Sequence, residues 1–376
     1  MIDEANAAQL DKNSLKCGGC GALLHFKPGT HSLSCQYCGE TNEIKGDGTE
    51  HHIISLDYEK FVAGIDSARQ DDGHKVVNCN NCGSTTVLDQ FVSSECCPFC
   101  ASGLVLDLKG GQQYVPPHYV LPFGINQQQG IAFFDKWLKG LWWAPNDLSK
   151  KVRSSASSLR GVYIPHWAYD TYAVTDYTGE RGDYYYTTER YTVTINGRQE
   201  SRTRQVRHTR WSYASGTVAR QFDDVLVAAS KSLDEKTLTK LGPWDFGAMV
   251  KFDERYMSGF RSETYQIDPQ TGFGLAANIM HPQVLSDIRH DIGGDDQRID
   301  STDTDHQDKM IKYVMLPVWV SAYNYNNKVY QFTINANTGE VIGQRPLSWI
   351  KITLAILFVL ALIALAVVFF QMQEGR

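Results

Sequence analysis

The sequence predicts an α+β protein in three parts: two small four-cysteine modules, a β-rich body with antiparallel sheets, and one C-terminal transmembrane helix. Three observations predict it. Eight of the nine cysteines fall into four CxxC pairs that form a repeat. The middle of the chain is dense in short runs of Tyr, Val and Thr, the composition that suits a pleated, half-buried surface. Ile352–Phe370 carries no charge and a single polar residue, Thr353. The boundaries read as a first module over 12–45, a linker with a short helix over 46–74, a second module over 75–107, the body over 112–345 and the membrane helix over 350–371.

The modules come first. Cys17-Gly-Gly-Cys20 is followed after fourteen residues by Cys35-Gln-Tyr-Cys38. Cys79-Asn-Asn-Cys82 is followed after fourteen residues by Cys97-Pro-Phe-Cys100. Each CxxC turn aims two thiolates at one point, and two turns complete a tetrahedral four-sulfur site suited to Zn²⁺. Gly21, Gly39 and Gly83 directly follow knuckles, where the turn favours positive φ. The reading is two zinc ribbons with two structural zinc ions, on Cys17, Cys20, Cys35 and Cys38, and on Cys79, Cys82, Cys97 and Cys100. Four sulfurs close the coordination shell, and the metal binding is folding energy for modules too small to build a core. A redox dithiol pair is the alternative, and the fourfold spacing has no need of it. Cys96 breaks register with the first repeat and is left unligated, an exchange with Cys97 being the alternative.

Between Met1 and Asp107 there are seven basic residues against fifteen acidic ones. Phosphate binding relies on clustered Lys and Arg, so a protein-binding surface is expected of the ribbons. The whole-chain charge of −6 argues likewise against a general polyanion binder. Leu23, Leu24, Phe26, Tyr37, Phe91 and Phe99 are the candidate contacts. Leu56–Ala68 has the apolar spacing of a short amphipathic helix, and His51-His52 reads as solvated loop.

The body follows Gly110-Gly111. Tyr119–Phe123 predicts a short strand. Gln127–Leu141 places Ile131, Phe134, Leu138 and Leu141 on one helical face. Gly161–Tyr172 and Tyr313–Tyr323 share a pattern of strand, Pro, one residue, Trp and strand. Pro within a strand demands an edge or a bulge, and the repetition suggests two related lobes. Tyr191–Ile195 meets Asn196-Gly197, a strong hairpin signal. The return strand carries Arg198, Arg202, Arg204, Arg207 and Arg210. It reads as a solvated strand with cross-strand ion pairs, or as a contact for anionic headgroups or an acidic partner. Ser232-Leu-Asp-Glu235 is a capping box, and a helix over Phe273–Ile292 is bent or interrupted at Pro282. Two hairpins follow, before a short link into the tail.

The apolar run Ile352–Phe370 rises about 28 Å as a helix, close to the thickness of bilayer hydrocarbon. Trp349 and Lys351 stand at its mouth, where an amphipathic ring and a long amine belong. The N-terminus has no basic n-region and no apolar h-region. The expectation is a single pass through a bacterial inner membrane with the N-terminal body in the cytosol; a buried core helix is the alternative.

No Gly-x-x-x-x-Gly-Lys-Ser/Thr exists. Gly272-Phe-Gly-Leu-Ala-Ala277 lacks the βαβ setting of a dinucleotide loop. Asp223-Asp224 and His166 are isolated candidates for a site in the body. Asp224 is read as a strand-end residue, and no catalytic or cofactor-binding residue is assigned.

The double CxxC ribbon, Leu121-Pro-Phe123, Gly161-Val-Tyr-Ile-Pro-His-Trp167, Thr209-Arg-Trp211, Leu316-Pro-Val-Trp319, Asn337-Thr-Gly-Glu340 and the tail together resemble a bacterial family of tail-anchored double-zinc-ribbon membrane proteins. Its members are labelled as carrying a transcription-factor-IIB-type zinc ribbon or as relatives of the primosomal helicase. This chain lacks the helicase's nucleotide motifs. The resemblance implies association with flotillin-like (SPFH) and phage-shock-type membrane proteins. The expected function is therefore a non-enzymatic, membrane-anchored adaptor or scaffold with a protein partner, no nucleic acid and no small-molecule substrate. The alternatives are a membrane-tethered nucleic-acid-binding protein and an enzyme with a site hidden in the body.

Overall fold

The computed structural model describes residues 17–22, 24–44, 53–67, 75–78, 84–88, 94–96, 103–105, 115–152, 159–195, 198–233, 235–326 and 328–374. Within the first four-cysteine module, β1 (Leu24–Phe26), β2 (Ser32–Cys35) and β3 (Thr41–Glu43) form a separate antiparallel sheet. β4 (Leu56–Asp57) leads directly into α1 (Tyr58–Ser67), the helix expected of the linker. β5 (Lys75–Asn78) and β6 (Thr85–Leu88) pair as a hairpin, as do β7 (Ser94–Cys96) and β8 (Gly103–Val105). The expected strand at Tyr119 is only β9 (Tyr119–Val120). α2 (Gln127–Gly140) opens on a capping box that the sequence reading passed over: the Asn126 side chain accepts from the Gln129 amide, and the Gln129 side chain accepts from the Asn126 amide. α3 (Leu148–Val152) follows.

Two strands then dominate, β10 (Arg160–Ile195) and β11 (Arg198–Ala228). They pair antiparallel along their length around residues 196–197, which lie outside the described residues. After α4 (Glu235–Lys240), β12 (Val250–Lys251), α5 (Glu254–Met257), β13 (Arg261–Glu263) and α6 (Pro269–Ile292) comes a third long strand, β14 (Asp296–Tyr325). β15 (Lys328–Asn335) and β16 (Val341–Gly343) extend its sheet, and α7 (Trp349–Glu374) ends the described chain. The architecture is β-rich α+β, with mostly antiparallel pairing; β9 against β14 and β13 against β10 are parallel. The second CxxC region joins this sheet through β6, which pairs with β13.

The two Pro-x-Trp segments lie side by side in this one sheet, Tyr163 opposite Pro317 and Pro165 opposite Met315. Neither proline sits at an outer edge or a bulge. Each sits where its strand changes neighbour. β10 pairs with β13 at Val162–Tyr163 and with β11 from His166. β14 pairs with β9 at Val314–Met315 and with β15 from Val318. The missing N–H falls in the gap between two ladders, while both proline carbonyls accept from the incoming chain, at Ala229 and Ala336.

The core lies at the body end of the long strands. Tyr163, Trp167, Tyr169, Tyr313 and Tyr323 are fully buried there. α6 covers β10, β11 and β14. Its buried residues Gly272, Ala276, Met280, Val284, Ile288 and Ile292 recur every fourth position, a single ridge facing the sheet. The helix begins before the predicted start, with Asp268 capping the Thr271 amide, and runs through Pro282. The Ser232 hydroxyl donates to Glu263; the rest of the predicted capping box, Asp234 and the Glu235 side chain, lies outside the described residues.

β14 leaves β10 at the pair Gly182–Asp296, but β10 and β11 continue to Ile195–Arg198. The ribbon beyond is a two-stranded arm of some 13 pairs, about 43 Å long at 3.3 Å per residue.

Candidate metal centre

Cys17, Cys20, Cys35 and Cys38 converge as predicted, every sulfur within 4.8 Å of every other. The Cys17–Cys38 and Cys20–Cys35 separations are 3.3 and 3.5 Å. A tetrahedral ion with bonds of about 2.3 Å needs sulfurs about 3.8 Å apart, so the cluster fits one such ion. Local backbone explains the convergence. At each knuckle the fourth residue after the first cysteine donates back to it, Gly21 N to Cys17 O at 2.9 Å and Gly39 N to Cys35 O at 3.0 Å. Gly21 and Gly39 take φ of +73° and +78°, a region costly for any residue with a Cβ. Backbone amides of Cys38 and Tyr37, aimed at the Cys35 sulfur, lower its thiol to about 6. Cys35 alone is so biased, since Cys17, Cys20 and Cys38 are raised; a bound metal would draw those three to the thiolate that ligation requires.

Glu40 adds an oxygen that sequence reasoning missed. Its carboxylate accepts from the Cys17 thiol at 2.8 Å and from the Gly19 amide at 2.9 Å. Those two donors hold Glu40 below the ordinary carboxylate range, and Glu40 in turn raises the Cys17 thiol. The signal was available: Glu40 follows the second knuckle by two residues. A bound metal would take the place of the Cys17 proton.

The four-cysteine module is seated on the body. Phe26 N donates to Ser258 O at 2.9 Å, Gly29 N to Phe123 O at 2.8 Å, and Ser258 Oγ to Leu24 O at 2.5 Å. The Phe26 ring meets Tyr256 and Phe260 edge-on. Two proposed partner contacts are thereby consumed, since Leu24 and Phe26 are buried. Tyr37, on the second knuckle, is 84% exposed and stays available. Cys79, Cys82, Cys97, Cys100, Leu23, Phe91 and Phe99 lie outside the described residues; of Cys96 only its place in β7 is described.

His166 and Asp224 enter different surroundings. His166 is buried, and its Nδ1 donates to Ile164 O at 3.0 Å. Burial lowers its pKa to about 4, so the ring is neutral. It lines a cavity of about 620 Å³ whose walls are mainly Leu226, Val227, Leu233, Leu238, Trp244 and Leu275. Asp224 belongs to a cluster that left no mark in the sequence. Lys312, buried on β14, bonds both Asp170, at 2.9 Å, and Asp224. Ser55 Oγ donates to Asp170 at 2.5 Å, and the Asp224 amide donates to it at 2.7 Å. Burial alone would raise the Asp170 carboxyl; these donors hold it below its usual value. Burial would lower Lys312, and the two carboxylates hold it above its usual value. Asp224 and Asp308 both take positive φ, at bulges where β11 and β14 slip against β10. Short polar residues tolerate that region better than most.

The arm carries the predicted arginines. Arg204 pairs with Glu189 across the ladder at 3.0 Å, as a cross-strand ion pair was expected to. Arg207 stacks over Tyr184 at 4.3 Å. Tyr185, Tyr186 and Tyr191 are exposed.

No family model matches the chain, and no solved structure matches it. The chain is similar to the uncharacterized protein YdjG of Bacillus subtilis (strain 168), with 27% identity over 350 residues that cover 89% of this chain and 90% of that protein.

Proposed function

We propose that the chain is a non-enzymatic adaptor, anchored in the bacterial inner membrane by α7 and presenting its arm and ribbons to a cytosolic protein. The arm is the observation that carries the reading. It buries no core, and its surface combines tyrosines with arginines, the residue types that dominate binding hot spots. α7 supports the anchor: the window Trp349–Val367 is long and apolar enough to span a bilayer, and none of it is buried against the body. Each four-cysteine set would hold a structural Zn²⁺, which leaves no open coordination position for chemistry. The partners this reading favours are flotillin-like or phage-shock-type membrane proteins.

The rival reading, nucleic-acid binding, draws on the same arm, which holds six arginines between residues 183 and 210 against three acids. The two readings separate by substitution in the detergent-solubilised full chain. Tyr185, Tyr186 and Tyr191 changed to Ser should abolish co-purification of the protein partner, with zinc content still at two. Arg198, Arg202 and Arg210 changed to Gln should leave that partner bound. Salt-sensitive DNA binding that disappears with the arginines, while the tyrosine set changes nothing, would overturn the adaptor. Metal analysis adds an independent check. Cys35→Ser should lower zinc from two to one and Cys96→Ser should leave two; one zinc in the unaltered protein contradicts the assignment.

A further inference from the structure

The turn between α2 and α3 reads Leu141-Trp-Trp-Ala144. Leu141 and Ala144 are buried in the body, while Trp142 is 77% exposed and Trp143 also faces outward. Two buried residues thus hold two indoles away from the core. The turn is closed by its own backbone, with Ala144 N donating to Leu141 O at 3.1 Å. Aromatic rings this large seldom stand in water side by side without a partner.

What covers them follows from where the turn is tied. The first turn of α7 and the residue before it are bonded to this turn three times. Ser348 N donates to Trp143 O at 2.8 Å. Lys351 Nζ donates to Trp142 O at 2.9 Å and to Ala144 O at 2.8 Å. Lys351 stands two residues beyond Trp349, about 3 Å along the helix, and the uncharged run begins with the next residue, Ile352. The turn therefore lies at the level where α7 enters hydrocarbon. Trp349, 81% exposed, and Ile350 project at the same level. The nearby charge is net positive, which suits phospholipid phosphates: Lys139, Lys150 and Arg345 are exposed against Asp147, whose carboxylate accepts from the Tyr325 hydroxyl.

We propose that the Trp142–Trp143 turn is a second membrane contact, seating its indoles at the headgroup–acyl boundary of the phospholipid bilayer that α7 crosses. Indole is favoured there because its ring is apolar and its N–H finds a polar partner. With α7, the turn gives the body two fixed points on the membrane, so the body cannot swivel freely about a single helix. The inference rests on the reading of α7 as a span.

The test uses the full chain in nanodiscs of phosphatidylcholine and phosphatidylglycerol. A photoreactive benzophenone side chain is placed, one protein at a time, at the positions of Trp142, Trp349, Phe358 and Tyr213, and lipid adducts are read by mass spectrometry. Adducts at Phe358, Trp349 and Trp142, with none at the exposed sheet residue Tyr213, are expected. Adducts at Phe358 and Trp349 without any at Trp142 overturn the second contact and leave the span intact. No adduct at Phe358 overturns the span and the second contact together. A second measurement needs no bulky probe: Trp142→Phe with Trp143→Phe should remove part of the indole emission that lipids brominated near the headgroup quench. An unchanged quenched component in that variant also overturns the proposal.

Discussion

Near the body, β10 carries Trp167, Tyr169, Ala173 and Tyr177, and β11 carries Val227, into a sheet that β14 completes and α6 covers. Past Gly182 the same two strands keep one register for 13 further pairs and bury almost nothing. Backbone hydrogen bonding is alike in both halves, yet a two-stranded ribbon is marginal on its own. The body half gains a third strand and a helix. The arm gains cross-strand pairs such as Glu189–Arg204 and ring contacts such as Arg207 over Tyr184. Such contacts contribute a few tenths of a kcal/mol to about 1 kcal/mol each. The difference teaches that one hairpin can hold a half built into the core and a half that buries almost nothing.

The sharpest way to break this contrast is at the bulges. Lys312→Met leaves the half-buried Asp170 without its cation, and should cost about 3 kcal/mol in denaturant unfolding. A loss under about 1 kcal/mol would mean that the cluster is not part of what holds the body half. The same cluster sets a pH window. Asp170 is held below its unfolded value, so its stabilisation is present above the ordinary aspartate range and is lost as pH falls through the lower folded value. Lys312 is held above its unfolded value, so its contribution persists below the ordinary lysine range and is lost only as pH rises through the higher folded value. Stability measured from neutral pH downward should fall in acid, and the Lys312→Met protein should show a flatter acid limb.

A smaller effect is expected at Gly179, where β10 slips in register against its neighbour β14. A Cβ there would run into the Arg298 carbonyl oxygen. Gly179→Ala should therefore destabilise by about 1–3 kcal/mol, the usual cost of overpacking. The smallest effect belongs to the arm. Replacing residues 184–209 by an Asn-Gly turn joins Asp183 to Arg210, which already face each other. Unfolding free energy should change by no more than about 0.5 kcal/mol, while partner capture is lost. A large drop in melting temperature would show that the arm supports the body, and the division between the two halves would fall.

By itself the sequence determined those features whose causes are local. Cys17, Cys20, Cys35 and Cys38 meet because each CxxC turn closes on its own backbone and each following glycine supplies positive φ. α1 and α2 follow from apolar spacing within one segment, α7 from an unbroken apolar run, and the hairpin from its turn residues. Tertiary structure decided the rest, because the causes there are far apart along the chain. Lys312 is apolar-flanked in sequence, and only the slip of two strands against β10 brings Asp170 and Asp224 to it. Pro165 and Pro317 look like strand breakers until the change of neighbour at each is seen. Leu24 and Phe26 look free to bind a partner, and the body's Tyr256, Ser258 and Phe260 occupy them. Trp142 and Lys351, 209 residues apart, share one hydrogen bond, which no periodicity within either segment encodes.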